Sequence, residues 1–227
     1  MAPISAALIA QSFLAHVPAE LQREVLADGR ALSVPAGAEL IPRERPAGIA
    51  LVLDGLIRIY LQSSRFRQVT VHYARPGETL GLVHLFSRRF DVHAQAMTAA
   101  TLWTVDAKRL RRLAEKHPSL AMAVAEECAE RVEDTMGEMA LLGFGSIRQR
   151  VARHLLDLAV HRRDPERLIA PVTQKELADA TGSVREVVAR ALKTLHDEGI
   201  TRSARDGVVI VDARRLDDEV TREGTER

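Results

Sequence analysis

Arg185, Glu186 and Arg190 are the residues of this chain best placed to do recognition chemistry. An arginine can grip the O6 and N7 of a guanine through two parallel hydrogen bonds, and a glutamate can accept one from cytosine N4. A carboxylate aimed at phosphates would be repelled, so a glutamate between two arginines points toward base edges. At 3.6 residues per turn, Arg185, Glu186, Arg190 and Lys193 share one face of a helix, while Val188, Ala191, Leu192 and Leu195 share the other. The plain alternative is a solvated surface helix with ordinary charges, which a short motif can match by chance.

The residues that must position this face form the stretch TQKELADATGSVREVVARALK, Thr173 to Lys193. Two Ser/Thr-x-x-Glu capping boxes occur in series. Thr173 with Glu176 starts one helix, and Ser183 with Glu186 is expected to start the next. Gly182 between them can take the left-handed conformation that ends the first helix. Helix, tight turn and second helix make a helix-turn-helix. Downstream, Ile200–Ala204 and Val208–Val211 flank Asp206-Gly207, a hairpin that would form a wing.

The Arg-Glu-x-x-x-Arg arrangement of Arg185, Glu186 and Arg190 resembles the recognition helix of the cyclic-AMP receptor protein / FNR (Crp/Fnr) family of bacterial transcription regulators. The resemblance implies a winged helix-turn-helix on double-stranded DNA, a TGTGA-type half-site, and RNA polymerase as a further partner. Where the family often places a phosphate-holding hydroxyl, this chain has Val184 and Val187. Anchoring then falls to Thr173, Gln174 and Lys193, with Ser183 at the expected helix start.

Length and composition fit two modest domains in 227 residues. With 32 Lys and Arg against 31 Asp and Glu, overall charge announces no nucleic-acid protein. From Gly145 to Arg215 the balance is 14 basic to 10 acidic, a local excess beside the motif. The single cysteine, Cys128, excludes an internal disulfide and a cluster held by four thiolates of one chain. Ile4 to Leu14 is apolar but short, lacks a basic leader and contains Gln11 and Ser12. It reads as an amphipathic helix of a cytoplasmic protein. No Walker loop, HExxH or GxSxG occurs, so no enzyme, catalytic residue or metal site is expected.

Along the chain, short alternating runs from Ala31 to Val105 predict a small β-sandwich or barrel. Ala50–Leu53 and Leu56–Tyr60 flank Asp54-Gly55, a hairpin signal. Val69–Tyr73, His93–Thr98 and Thr101–Val105 read as further strands. Asp106–Lys116 reads as a helix, and Pro118 opens a longer one to Leu142. Along the latter, Ala121, Ala125, Cys128, Val132, Thr135, Met139 and Leu142 form a heptad seam, which fits a helix packed on its own domain or, combined with a helix-turn-helix that binds two half-sites, a parallel homodimer helix. Gly143-Phe144-Gly145 is a plausible hinge, after which Ser146 with Gln149 starts another helix. The expected fold is α+β: a β-roll sensor domain with flanking helices at 1–117, dimerisation helix 118–142, hinge 143–146, winged helix-turn-helix 147–220, and a disordered tail 221–227.

In cyclic-nucleotide-binding members of the family, a glutamate takes the ribose hydroxyl and an arginine the cyclic phosphate. The resemblance places Leu82 at the first position and Phe90 or a near neighbour at the second, so cyclic AMP is not the expected effector. Leu82, His84, Arg88, Arg89, Phe90 and Thr135 are the candidate effector-pocket residues. Arg88 and Arg89 fit either a solvated hairpin tip or an anion pocket. Haem through His72, His84 or His93 stays open, as does the absence of any effector. The rival reading is a ligand-binding regulatory module acting on a protein partner rather than DNA.

Overall fold

The computed structural model describes residues 4–40, 48–64, 66–86, 92–161 and 168–221. The chain divides into two compact units, Met1–Leu61 with Val71–Thr135, and Gln62–Thr70 with Met136–Arg227.

The first unit is built on two four-stranded sheets. Strands β1 (Arg30–Val34), β8 (Ala100–Asp106), β3 (Gly48–Asp54) and β6 (Thr79–Leu80) form one, in that order. Strands β2 (Glu39–Leu40), β7 (His93–Ala96), β4 (Ile57–Gln62) and β5 (Gln68–Ala74) form the other. Successive side chains of a strand alternate between faces, and Val34, Val52, Ile57, Ala74, Ala96 and Leu102 meet in one buried cluster. The predicted strands are present, but Asp54-Gly55 is no hairpin. It is a corner that carries the chain from one sheet to the other, because its polar groups are taken by the β7–β8 connection. Leu56 N–H donates to Thr98 Oγ1 at 3.0 Å, and Leu56 C=O accepts from Met97 N–H at 2.8 Å. Gly55 has φ +92°, and a Cβ there would lie 2.6 Å from the Ala99 carbonyl oxygen. Only glycine satisfies both constraints.

A second cluster holds the helices of this unit. It joins Leu14 and Val17 to Leu21 and Val25 of α2 (Ala19–Leu26), Leu110 and Leu113 of α3 (Ala107–Lys116), and Leu120, Ala123 and Val124 of α4 (Pro118–Phe144). The predicted helix over Ile4–Leu14 is shorter: α1 covers Ala6–Ala10. Ser12 ends it by donating its hydroxyl to Ile9 C=O and accepting from Leu14 N–H, a local bonding pattern that competes with helix. α4 runs two residues past the predicted stop at Leu142. Glycine disfavours helix by about 1 kcal/mol without forbidding it, and the break falls at Gly145, before the hinge expected at 143–146 ends.

The second unit packs α5 (Ile147–Leu158), α6 (Gln174–Thr181), α7 (Arg185–Asp197) and α8 (Ala213–Thr221) with a sheet of order β11-β12-β10-β9. These strands are Thr201–Ala204, Gly207–Ile210, Leu168–Ala170 and Val160–His161 respectively. Ser146 and Gln149 make the expected capping box on α5. Val151, Leu155, Leu177, Val188, Leu195 and Leu216 are fully buried and tie the four helices together. Arg148 on α5 donates to both oxygens of Glu198 at 2.6 Å and to Glu219 of α8 at 2.7 Å. Thr221 closes α8, and the rest of the expected tail, 222–227, lies outside the described residues.

Candidate nucleic-acid interface

The reading head is α6 followed by α7. The Thr173–Glu176 capping box forms in both directions, Thr173 N–H to Glu176 Oε2 at 2.7 Å and Glu176 N–H to Thr173 Oγ1 at 3.2 Å. Gly182 takes the left-handed conformation (φ +65°), and both its N–H and that of Ser183 bond to Ala178 C=O. That closure corrects the second expected box. Ser183 belongs to the turn, Val184 takes the N-cap position with no side-chain bond, and α7 begins at Arg185. Glu186 is therefore too early in the helix to reach back as a capping-box acid.

Val188 and Leu195 are fully buried on one face of α7, with Ala191 and Leu192 half-buried beside them. On the opposite face Arg185, Glu186, Arg190 and Lys193 are exposed. None of them has a hydrogen-bonded or ionic side-chain partner among the described residues. These side chains are chemically unspent. Beside them a groove of ≈ 710 Å³ opens between the start of α6, α7 and the β11–β12 wing. Thr173, Gln174 and Lys193 line it, joined by His196, Ser203 and Arg205, which the sequence reading did not single out. Arg205 was findable as a cation adjoining the wing-tip Asp206-Gly207. The structure thus places Thr173, Gln174 and Lys193 in one groove, Arg185, Glu186 and Arg190 on the helix face, and Ser183 in the turn.

On α4 an exposed apolar stripe runs through Met122, Ala125, Ala129, Val132, Met136 and Met139, steps of three and four throughout. Three members of the predicted seam, Ala125, Val132 and Met139, lie in it. Cys128 instead packs against its own unit's core, and Thr135 bonds back to Arg131 C=O at 2.7 Å. Ala121 is exposed and Leu142 half-buried at the stripe's margin. Met136, at 65% exposure, was legible only once the phase of the helix was fixed.

Around the expected effector pocket, Leu82 begins a short 3-10 turn, Leu82–Leu85, and is buried in the helical cluster. His84 is half-buried on that turn. Arg88, Arg89 and Phe90 lie outside the described residues. His72 meets Glu78 and Arg131, while His93 stacks on Tyr60 with ring centroids 5.1 Å apart. Burial, with help from the Glu39 carboxylate, pushes the Tyr60 phenol up to about 12. Among the described residues no cluster of three His, Cys, Asp or Glu side chains could hold a metal, and no helix is long and apolar enough to cross a membrane.

Comparison with known proteins agrees with this architecture. The family model described as Crp-like helix-turn-helix domain matches residues 149–219, and that described as cyclic nucleotide-binding domain matches residues 31–117. The transcriptional regulator LdrP of Thermus thermophilus is 31% identical over 169 residues, covering 73% of this chain and 84% of its own. The chain belongs to the Crp/Fnr family. It is a DNA-binding transcription regulator of that family, with an N-terminal cyclic-nucleotide-binding-like domain, a long helix and a C-terminal helix-turn-helix. The cAMP-activated global regulator CRP of Salmonella typhimurium is 24% identical over 189 residues, 79% of this chain and 89% of its own. A solved CRP/FNR-family transcriptional regulator, also from Thermus thermophilus, superposes with TM-score 0.71 at 25% identity. That match covers 86% of this Crp/Fnr regulator and all of the solved chain.

Proposed function

We propose that this Crp/Fnr regulator works as a cytoplasmic homodimer whose two α7 helices read a TGTGA-like palindrome in successive major grooves, about 34 Å apart. The observation that carries this reading is the unspent outer face of α7. Arg185 and Arg190 read guanines, and Glu186 discriminates at the neighbouring cytosine. Thr173, Gln174 and Lys193 hold phosphate in the adjoining groove, with Arg205 of the wing as a fourth contact. The uncapped first turn of α7 leaves backbone N–H groups that supplement the hydroxyls missing at Val184 and Val187. Domain limits follow the sequence reading, with 147–220 as the DNA-binding part.

The second copy docks on the α4 stripe. Met122, Ala125, Ala129, Val132, Met136 and Met139 occupy alternating a and d positions, and small residues at two of them allow close approach of parallel helices. Such symmetry matches two half-sites. RNA polymerase contact follows from family likeness. Cyclic AMP is not the effector: Leu82 offers no acceptor for a ribose hydroxyl and is committed to the core.

Fluorescence anisotropy on a labelled TGTGA palindrome and a scrambled duplex, titrated with salt, tests the reading. Binding to the palindrome is expected to be tighter, with affinity for both duplexes falling steeply as salt rises. Equal, salt-insensitive affinity for the two duplexes would instead favour a module acting on a protein partner. Calorimetric titration with cyclic AMP is expected to give no heat of binding.

A further inference from the structure

Along α4 the means of attachment to the first unit changes. Leu120, Ala123 and Val124 are buried in its core and Cys128 packs against it, but no α4 residue beyond Val124 is fully buried. At Arg131 charge takes over. Both guanidinium Nη atoms lie 3.3 Å from Glu78 Oε2, one lies against His72 Nε2, and the other is 3.3 Å from Glu127 Oε1. Asp134 stands 3.7 Å away on the same helix. His72 is two residues from the core residue Ala74 on β5, so both share the face that lines the sheet interior. Glu78 lies in the turn before β6 and also contacts His72 Nε2. One imidazole nitrogen can donate to the carboxylate or accept from the guanidinium, but not both at once.

We propose that Glu78 is a tethered anion, seated between Arg131 and His72, which latches the middle of α4 onto the β-roll without any small molecule. The partners come from three separate elements, unlike a solvated surface pair. Glu78, His72 and Arg131 are 28%, 20% and 30% exposed, so the seat is half-closed to water. The two acids nearest Arg131 respond differently. Burial pushes the Glu127 carboxyl up, and Arg131 only partly offsets it. Burial acts upward on Glu78 as well, but the His72 hydrogen bond and the charges of His72 and Arg131 outweigh it and hold that carboxyl below its usual range. Both Nη atoms of Arg131 reach Glu78 and one reaches Glu127, so the guanidinium serves Glu78 first.

The latch is tested by emptying the seat and refilling it. Full-length Glu78→Ala is compared with wild type by amide hydrogen exchange of α4, with and without formate, against chloride at equal ionic strength. Exchange around residues 129–136 is expected to rise about tenfold, the effect of losing a charge-assisted hydrogen bond. Formate, but not chloride, is expected to reverse it. Glu78→Ala with Arg131→Gln is expected to exchange fast and ignore formate. Unchanged α4 exchange in Glu78→Ala, or equal action of formate and chloride, overturns the proposal. Exchange across β3 and β8 reports whether the sheets remain folded, and if they open, the milder Glu78→Gln gives the α4 comparison. The latch does not rest on the regulator reading, and its readout needs no DNA. Loss of palindrome binding in wild type would remove that reading and leave the exchange result to decide the latch.

Discussion

Arg185 heads α7 with its guanidinium uncommitted, so replacing it with alanine takes little from the fold and isolates its proposed contact with a base. Arg185→Ala is expected to cost about 1–3 kcal/mol at one base pair and to relax specificity there. Competition binding against base-substituted duplexes measures this, and equal weakening on every sequence would reassign Arg185 to phosphate contact. A second residue-scale prediction concerns acid. Glu127, pushed up chiefly by burial, takes a proton more readily folded than unfolded, so stability gains as pH falls from neutral through its range. Glu78, held low despite burial by His72 and Arg131, contributes above the ordinary carboxylate value and loses that contribution as pH falls through its folded value. Thermal melts between about pH 7 and pH 3 are expected to show a small rise and then a fall. Glu127→Gln should erase the rise, while Glu78→Gln should flatten the fall. The α7 face was legible because periodicity and residue type agree within thirteen residues. The Glu78 seat was not, since Arg131 is 53 residues from Glu78 and 59 from His72.

At the scale of elements, the two proposals for α4 fall on two faces, the exposed stripe for a second copy and the Arg131 side for the latch. Met136→Glu puts a charge into the exposed stripe without touching the buried one, and native mass spectrometry is expected to show monomer in place of dimer. A persistent dimer would move the interface elsewhere. Gly137 lies mid-helix, and a Cβ there would meet nothing within 4 Å. Gly137→Ala is therefore expected to stabilise α4 by about 1 kcal/mol, read from chemical denaturation. Sequence periodicity located this helix, but two of its seven expected seam positions, Cys128 and Thr135, are half-buried and one residue out of phase with the exposed Ala129 and Met136. Capping shows the same limit. Thr173 and Ser183 carry identical signals, yet Ser183 N–H is claimed by Ala178 C=O, and no local pattern reveals which closure wins.

For the whole molecule, the proposed dimer would carry two reading heads at a fixed span. Inserting about 5 base pairs, half a helical turn, between the half-sites is expected to reduce affinity to that of a single half-site, measured on matched duplexes. Tolerance of the insertion would mean that the heads move independently. The order of large parts was legible, as the comparisons agree, whereas strand partnership was not. Asp54-Gly55 has a hairpin's residues, but its partner groups at Thr98 and Ala99 lie some forty residues downstream. That arrangement bears on synthesis. β8 lies between β1 and β3, pairing Arg30 with Thr104 and Leu51 with Trp103. Neither earlier strand can complete its ladder until Asp106 has left the ribosome. The nascent first half of the roll must wait with open strand edges, a state prone to misassociation. Slow translation before that point would lengthen the exposure, and slow translation after it would give the sheet time to close.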